Sequence, residues 1–352
     1  MRKRKTLPKN FGEMLTSASL AELQAVFGRT ELDARGGYGK ETAIGYVDCP
    51  DELIVWLVDQ GLDVDAANQY GETPLWTRAA RGEAAQIPLL LSLGADLERP
   101  RGHNGTPLHG AASRQRPETV RVLIEHGANV HATIDGKPNL TPLLFGLRHT
   151  ENIGIADMAE TASLLLQAGA PVTDVARDLV RRIGTTFEFH RKGFNRDLLD
   201  ATDAGLQELY RLFDVEPVPP RLIHDGTSPI TVPDGTWQKQ HQQLWELLVP
   251  SSGVAETVQG EAIRVTGKVA REILDNGSVN WDRSFRAMID ALPGYLASGT
   301  PLPELQEAQA LTKRTHSGNG TDEELARLSE LAVAWVRLNP TPLPMTAPSY
   351  GR

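Results

Sequence analysis

Apolar positions in the first half of the chain fall into short helical stripes separated by turn residues, and the whole arrangement recurs. In one copy, Leu108, Ala111 and Ala112 mark a narrow first helix, and Val120, Leu123 and Ile124 mark the apolar stripe of a second. Thr106 is the predicted N-cap of the first helix, its hydroxyl accepting from a free backbone N–H. Pro107 takes the first helical position, where a missing N–H costs nothing. Gly127 supplies the positive φ that ends the second helix. A helix pair of this size cannot bury its apolar face alone, so neighbouring copies must stack.

The marks are Thr73-Pro74-Leu75-Trp76, Thr106-Pro107-Leu108-His109, Thr141-Pro142-Leu143-Leu144 and a worn copy at Thr42-Ala43-Ile44-Gly45. They begin 31, 33 and 35 residues apart. Each is followed by a glycine mark: Gly61-Leu62-Asp63-Val64, Gly94-Ala95-Asp96-Leu97, Gly127-Ala128-Asn129-Val130 and Gly169-Ala170-Pro171-Val172. A period near 33 with these marks resembles the ankyrin repeat. The resemblance covers roughly 11–176. It is sharpest at 70–102 and 103–137, and weaker at 138–173 and 38–69. In 138–173 about nine extra residues around Thr150–Met158 are expected to lengthen the turn between helices. Upstream, Phe11, Met14, Leu15, Leu20, Leu23 and Val26 fit a helical hairpin capping the stack.

Helical periodicity continues after the marks stop. Val175, Leu179, Val180 and Ile183 fit one helix, and Leu198, Leu199, Leu206, Leu209, Tyr210 and Phe213 another, a C-terminal cap. Prolines at 217, 219, 220, 229 and 233 then predict an extended connector. A second helical module follows. Trp237, His241, Leu244, Trp245 and Leu248 form one stripe, and Val254, Val258, Ala262, Val265, Val269 and Ile273 another. Gly260 and Gly267 lie seven apart on that helix, and two interior glycines there imply close approach of another helix. Asn280 is the predicted cap of a third helix carrying Trp281, Phe285, Met288, Ile289 and Leu292. Thr321 to Glu324 has capping-box spacing, and Leu325, Leu328, Ala332, Trp335 and Leu338 run on from it. The expected fold is all-α: an ankyrin-repeat solenoid with short β-hairpin fingers, then a helical module. The expected boundaries are a disordered basic tail over 1–10, the solenoid with its caps over 11–214, a Pro-rich connector over 215–234, a helical domain over 235–340 and a tail over 341–352.

Composition narrows the functional classes. The hydrophobic fraction of 40% and charged fraction of 23% are ordinary for a soluble globular protein. No apolar run is long enough for a membrane span. The basic start Arg2-Lys3-Arg4-Lys5 is followed by no apolar stretch, so it does not read as a secretory signal. One cysteine, Cys49, excludes an internal disulfide and a cysteine-based zinc site, and fits a reducing cytoplasm. The net charge of −9 argues against general nucleic-acid binding. Arginine greatly outnumbers lysine, which points to a GC-rich bacterial genome.

Chemistry is sparse. Gly36-Gly37-Tyr38-Gly39-Lys40-Glu41-Thr42 has part of a phosphate-binding loop, but Ala34 stands where glycine is needed and Glu41 where Ser or Thr is needed. A repeat finger explains its glycines better. His109, fourth in its mark, is expected to bond between loops rather than bind metal. The remaining histidines show no ligand spacing. Gln259, Glu261 and Arg264 form the best polar cluster of the second module, with an ion pair available between Glu261 and Arg264. Against a catalytic or ligand-reading trio stands a polar network or a solvated face. No nucleophile, paired carboxylates or metal triad is legible. Catalytic residues, cofactor and metal are therefore expected to be absent, and Glu261→Gln is expected to leave function intact where the fold survives.

The expected binding surface is the concave face of the array. Its finger tips hold Tyr38, Gln69, Tyr70, Glu72, His103 and Asn104, and the exposed ends of its first helices hold Arg81, Arg114, Arg148 and His149. Arg81 and Arg114 are equivalent in adjacent repeats, and tyrosine and arginine are frequent interface anchors. The segment Thr257 to Arg264, with Asn276-Gly277 and Asn280-Trp281-Asp282, looks like a small helical domain of uncharacterised bacterial proteins, some in toxin–immunity neighbourhoods. The expectation is a monomeric, bacterial, cytoplasmic protein that grips one protein partner, in its sharpest form an immunity protein blocking a toxin. The alternative is an enzyme or ligand sensor, with its chemistry in the C-terminal module around Glu261 and Arg264 and the ankyrins for targeting.

Overall fold

In the computed structural model, which describes residues 3–351, the chain divides into two compact units. The first holds residues up to 187 together with 194–218, and the second holds 188–193 and the residues from 219 on. The first unit opens with β1 (Arg4–Thr6), α1 (Phe11–Ser17), α2 (Leu20–Arg29) and β2 (Thr30–Arg35). It continues with α3 (Asp51–Asp59), α4 (Pro74–Arg81), α5 (Ile87–Ser92), α6 (Pro107–Ser113), α7 (Pro117–Glu125), α8 (Pro142–Arg148) and α9 (Ile155–Gln167). It closes with α10 (Asp174–His190), whose last residues count with the second unit, and α11 (Arg196–Phe213).

The repeat marks do what their chemistry demands. Pro74, Pro107 and Pro142 each open a helix, and Thr73 and Thr141 accept from the amides of Trp76 and Leu144. α4, α6 and α8 pack side by side as one layer, and α5, α7, α9 and α11 follow one another in a second. Leu75, Ala79, Leu108, Ala111, Leu143 and Leu147 lie fully buried between them. The first helices approach closely because their facing residues are small. A Cβ at Gly146 would stand 3.0 Å from the Ala112 carbonyl. The fingers are short hairpins, two of them closed by isolated antiparallel bridges, Gly36–Glu41 and Ile134–Lys137.

Polar bonds tie each repeat to the next. The Asp96 amide donates to the Asp65 carboxylate (3.0 Å), the Asn129 amide to Glu98 (2.7 Å) and the Trp76 indole to the Gly105 carbonyl (3.1 Å). Burial raises the Asp65 and Glu98 carboxyls above the usual range despite these bonds.

Several expectations need correction. The 1–10 segment is not a free tail over its described residues. Arg4–Thr6 pairs in parallel with Thr30–Arg35, Lys3 donates to the Phe27 carbonyl at the end of α2, and Leu7 is buried; Met1 and Arg2 lie outside the described residues. The small parallel sheet was not foreseen, because three residues carry no legible strand period. In the worn copy, Ala43–Gly45 makes only a 3-10 turn. Ala43 there lacks the preset φ of proline, and the Thr42 hydroxyl caps nothing. The extra residues of 138–173 do not all go into the turn, since α9 starts at Ile155 and has 13 residues against 9 in α7.

The second unit contains α12 (Trp237–Leu248), α13 (Val258–Leu274), α14 (Arg283–Leu296), α15 (Leu305–Thr315) and α16 (Asp322–Leu338). α13 packs on α12, α14 and α16, and so is buried on nearly every side. Thr257 caps it, and Asp282 rather than Asn280 caps α14. The capping box of Thr321 and Glu324 is present at the start of α16. α15 was not legible, because its apolar positions are few.

The segments expected as connector and tail are extended and largely exposed, but each is anchored at particular residues. Ile230 is buried and its amide donates to the Pro340 carbonyl (2.7 Å). The Gln259 side chain donates to the Asn339 and Thr341 carbonyls and accepts from the Leu343 amide, which fixes the strand-like path of 339–345. Residues 341–351 are thus held down by a buried amide able to satisfy an extended backbone; Arg352 lies outside the described residues.

Gly260 and Gly267 are packing positions. A Cβ at Gly260 would meet the Leu248 carbonyl at 3.0 Å, and one at Gly267 would stand 2.5 Å from the Trp245 ring. Gly267→Leu is therefore expected to destabilise the second unit by about 1–3 kcal/mol, the usual cost of overpacking. Hydrogen exchange of the α12 and α13 amides checks this; unchanged protection would refute the close packing.

Candidate functional site

The first helices and the fingers carry the exposed side chains predicted to bind. At the tips, the Tyr38 ring is 89% exposed and lies 6.3 Å from that of Tyr70, itself 45% exposed. Gln69 braces the pair, its side chain donating to the Tyr38 carbonyl (2.8 Å) and its amide to the Gly39 carbonyl (2.9 Å). Two solvated tyrosines held in place by backbone bonds offer apolar surface at little entropic cost. Asn104 is exposed in its turn, and exposed His103 lies 2.8 Å from the Asp135 carboxylate.

Glu72 has a different job. One carboxylate oxygen pairs with Arg101 (3.1 Å) and the other accepts from Asn68 (2.7 Å). Arg101 in turn lies 4.5 Å over the Trp76 ring. This is a finger-to-finger lock, and Arg101 was missed because nothing in the repeat marks singles it out. His149 is likewise engaged, donating to the Phe145 carbonyl (2.7 Å) and packing on its ring. Arg81 ends α4, Arg114 is the C-cap of α6 and Arg148 ends α8. All three are exposed at equivalent ends of adjacent helices. Among the described residues none of the three forms an ion pair.

Two further groups look like chemistry and are structural. His109 is fully buried. Its Nδ1 accepts from the Thr106 amide (3.2 Å), and its Nε2 lies 3.0 Å from the Leu140 carbonyl of the next repeat. This network assigns the proton to Nε2. Burial holds its pKa down at about 4. Arg78, also fully buried and unforeseen, donates to the Ile44, Tyr46 and Pro74 carbonyls and to Gln86. Burial lowers its pKa as well. The Cys49 thiol, buried beside it, is pushed up to about 12 and is a poor nucleophile. The glycines at 36–39 sit in a finger and open no helix, so the partial phosphate-loop pattern has no phosphate-loop geometry.

In the second unit, Glu261 and Arg264 form a fork of two bonds, 2.6 and 2.8 Å, with both side chains inaccessible to solvent. Glu261 also accepts from the Ala255 amide (3.0 Å) and the Tyr350 hydroxyl (2.8 Å), and Tyr350 lies 2.6 Å from the Tyr295 hydroxyl. Burial, then these neighbours, raises the Tyr350 pKa. One cavity of the unit, of about 350 Å³, is lined by Phe189, Lys192, Arg221, His224 and Val254 among others, and a more open one of about 600 Å³ by Lys268, Arg271, Glu272, Asp275, Asn276 and Phe285; neither is lined by Gln259, Glu261 or Arg264. The polar trio therefore faces no substrate space and is a buried network.

Comparison with known proteins settles the repeats. A family profile for ankyrin repeats, in three copies, matches residues 43–134. Residues 43–134 are ankyrin repeats. An ankyrin repeat protein of fowlpox virus (strain NVSL) is 32% identical over 127 residues, which is 36% of this chain and 17% of the viral protein. The chain thus spans about a sixth of that relative's length. The solved ankyrin repeat domain from Acinetobacter baumannii AYE is 24% identical and covers 58% of this chain and 95% of its own, with a TM-score of 0.41. Ankyrin repeats are in general protein-interaction modules. Among the described residues no helix is long and apolar enough to cross a membrane.

Two measurements test the structural assignments. Glu261→Gln leaves Arg264 buried without its charge partner, so stability is expected to fall by about 3–5 kcal/mol. A denaturant titration unchanged from the parent would mean that the pair is solvated. His109 and His241 both have folded pKa values near 4 against about 6.5 when unfolded. The unfolded chain therefore takes up protons first. Their contribution is complete above about pH 6.5 and is lost as pH falls towards 4, by about 3 kcal/mol for each histidine. Melting temperature followed from pH 7 to 4 should fall, and His109→Gln should flatten the first unit's share; a steeper fall in that variant would contradict the assignment.

Proposed function

We propose that the protein is an ankyrin-repeat interaction module that binds a protein partner through the concave face of its array. One observation carries the reading: Arg81, Arg114 and Arg148 stand exposed at the C-terminal ends of α4, α6 and α8 and, among the described residues, form no ion pair. A chain of net charge −9 has carboxylates to spare, so an uncompensated arginine column is unlike a merely solvated face. Tyr38 and Tyr70, in the fingers that precede the first helices, add aromatic anchors of their own. The finer reading is a bacterial cytoplasmic immunity protein that acts as a monomer on a toxin. It is supported by the resemblance of the 257–282 segment and by the arginine-rich composition. The enzyme reading loses its support, because Glu261 and Arg264 are sealed from solvent by Tyr350 and their own bonds.

The test is capture of the partner from native cells on the immobilised protein, with identification by mass spectrometry. Arg81→Glu combined with Arg114→Glu is expected to weaken the captured partner's affinity at least tenfold. Thermal unfolding should stay within about 0.5 kcal/mol of the parent, as for surface changes away from special features. Unchanged affinity in that variant would move the interface off this face, and an enzymatic toxin as the captured protein would support the immunity reading.

A further inference from the structure

The arginine column does not stop at the last repeat mark. Arg114 follows Arg81 by 33 residues, Arg148 follows Arg114 by 34, and Arg182 follows Arg148 by 34. Counted from Thr73, Thr106, Thr141 and Thr173, the last of which accepts from the Ala176 amide at the start of α10, the four arginines lie 8, 8, 7 and 9 residues in, so the chain spacing is near-regular while the register within each helix drifts. The Arg182 guanidinium donates to the Arg148 carbonyl (3.4 Å), which places it at the same end of the layer as the other three. It is exposed, and among the described residues it forms no ion pair. Its neighbour Arg181 does pair, with Asp178, and Arg121, Arg177 and Arg211 elsewhere in the unit each hold a carboxylate within 3.1 Å. Four like charges in a row repel one another, and the bond from Arg182 to the Arg148 carbonyl ties down one of the four.

The spacing says what fits. Packed helices lie about 8–10 Å apart, so the column has a rung roughly every 10 Å and runs for about 30 Å. A peptide in the extended polyproline II conformation rises about 3.1 Å per residue with three residues per turn, so every third side chain returns to the same face about 9 Å on and meets a rung. Guanidinium forks match carboxylates bidentately. Glu83 and Glu151, exposed in the turns after α4 and α8, together with the net charge of −9, disfavour a densely charged nucleic acid but tolerate discrete carboxylates. We propose that Arg81, Arg114, Arg148 and Arg182 form a rail for an extended acidic segment of the partner carrying Asp or Glu at every third residue. This rests on the interaction reading above and specifies its partner.

The probe is a labelled synthetic peptide of about twelve residues with Glu at every third position, long enough to span the rail. Its isomer with the same glutamates clustered at one end and a single-stranded DNA of equal charge serve as competitors. Fluorescence anisotropy against the full chain should show the spaced peptide binding about tenfold more tightly than the clustered one, with affinity falling as salt rises. Arg148→Gln with Arg182→Gln should cost at least about tenfold with an unchanged melting curve, and the Lys pair should recover only part of that loss, because an ammonium keeps the charge but cannot form the fork. No binding, equal binding of the clustered isomer, or tighter binding of the DNA overturns the rail. A captured native partner weakened by the Arg81 and Arg114 reversals but indifferent to Arg148→Gln with Arg182→Gln overturns the rail and leaves the interaction reading standing.

Discussion

Each helix pair of the first unit has one apolar face and no means of covering it by itself, and everything else in that unit follows from this constraint. Stacking buries Leu75, Ala79, Leu108, Ala111, Leu143 and Leu147 completely. The stack has to end somewhere, and its ends are built from what is available. At one end α1, α2 and the small parallel sheet supply Phe11, Leu15, Leu23 and Phe27, while at the other α10 and α11 supply Val180, Phe187, Leu209 and Phe213. Stacking also forces loop backbone together, and its polar groups then need partners. The bonds from His109 to Leu140, Asp96 to Asp65 and Asn129 to Glu98 each span 31 residues, one repeat.

Buried polar groups in both units show how little room is left for chemistry. Among the described residues Arg78 forms no ion pair and instead gathers carbonyl oxygens, a use for which five guanidinium donors are suited. Glu261 and Arg264 satisfy each other on a helix packed on three sides, and Tyr350 and the Ala255 amide complete the carboxylate's shell. A carboxylate so fully engaged is held in place by its partners and has no open side for a substrate proton. Gln259, two residues before Glu261, spends its amide on the 339–343 backbone. The trio that looked most reactive in the sequence is therefore what fastens the last segment of the chain to α13.

With the interior so committed, recognition falls to the surface of the repeats. Finger tips offer paired tyrosines and helix ends offer arginines, while Glu72 and His149, chemically equal candidates, are engaged in holding their own loops. The division is between side chains that the stack uses and side chains that it leaves alone. On a chain of net charge −9, the cations left alone are the informative ones.

The sequence by itself determined the repeat. The Thr-Pro-Leu and Gly marks act through local chemistry, capping, a preset φ and a positive φ, and local chemistry is readable from a few residues. The close packing at Gly260 and Gly267 was legible for the same reason, since interior glycines in a helix demand an explanation. Only the tertiary structure decided the fate of groups whose partners lie far away. Tyr350 reaches Glu261 across 89 residues, and Gln259 holds carbonyls 80 and 82 residues on. The segments 3–7 and 341–351 carry no periodicity, because their order comes from partners rather than from their own pattern. The same holds for the surface: Glu72 and Arg81 are both exposed-looking charges in one repeat, and only the position of Arg101 separates the residue used in the stack from the residue left for a partner.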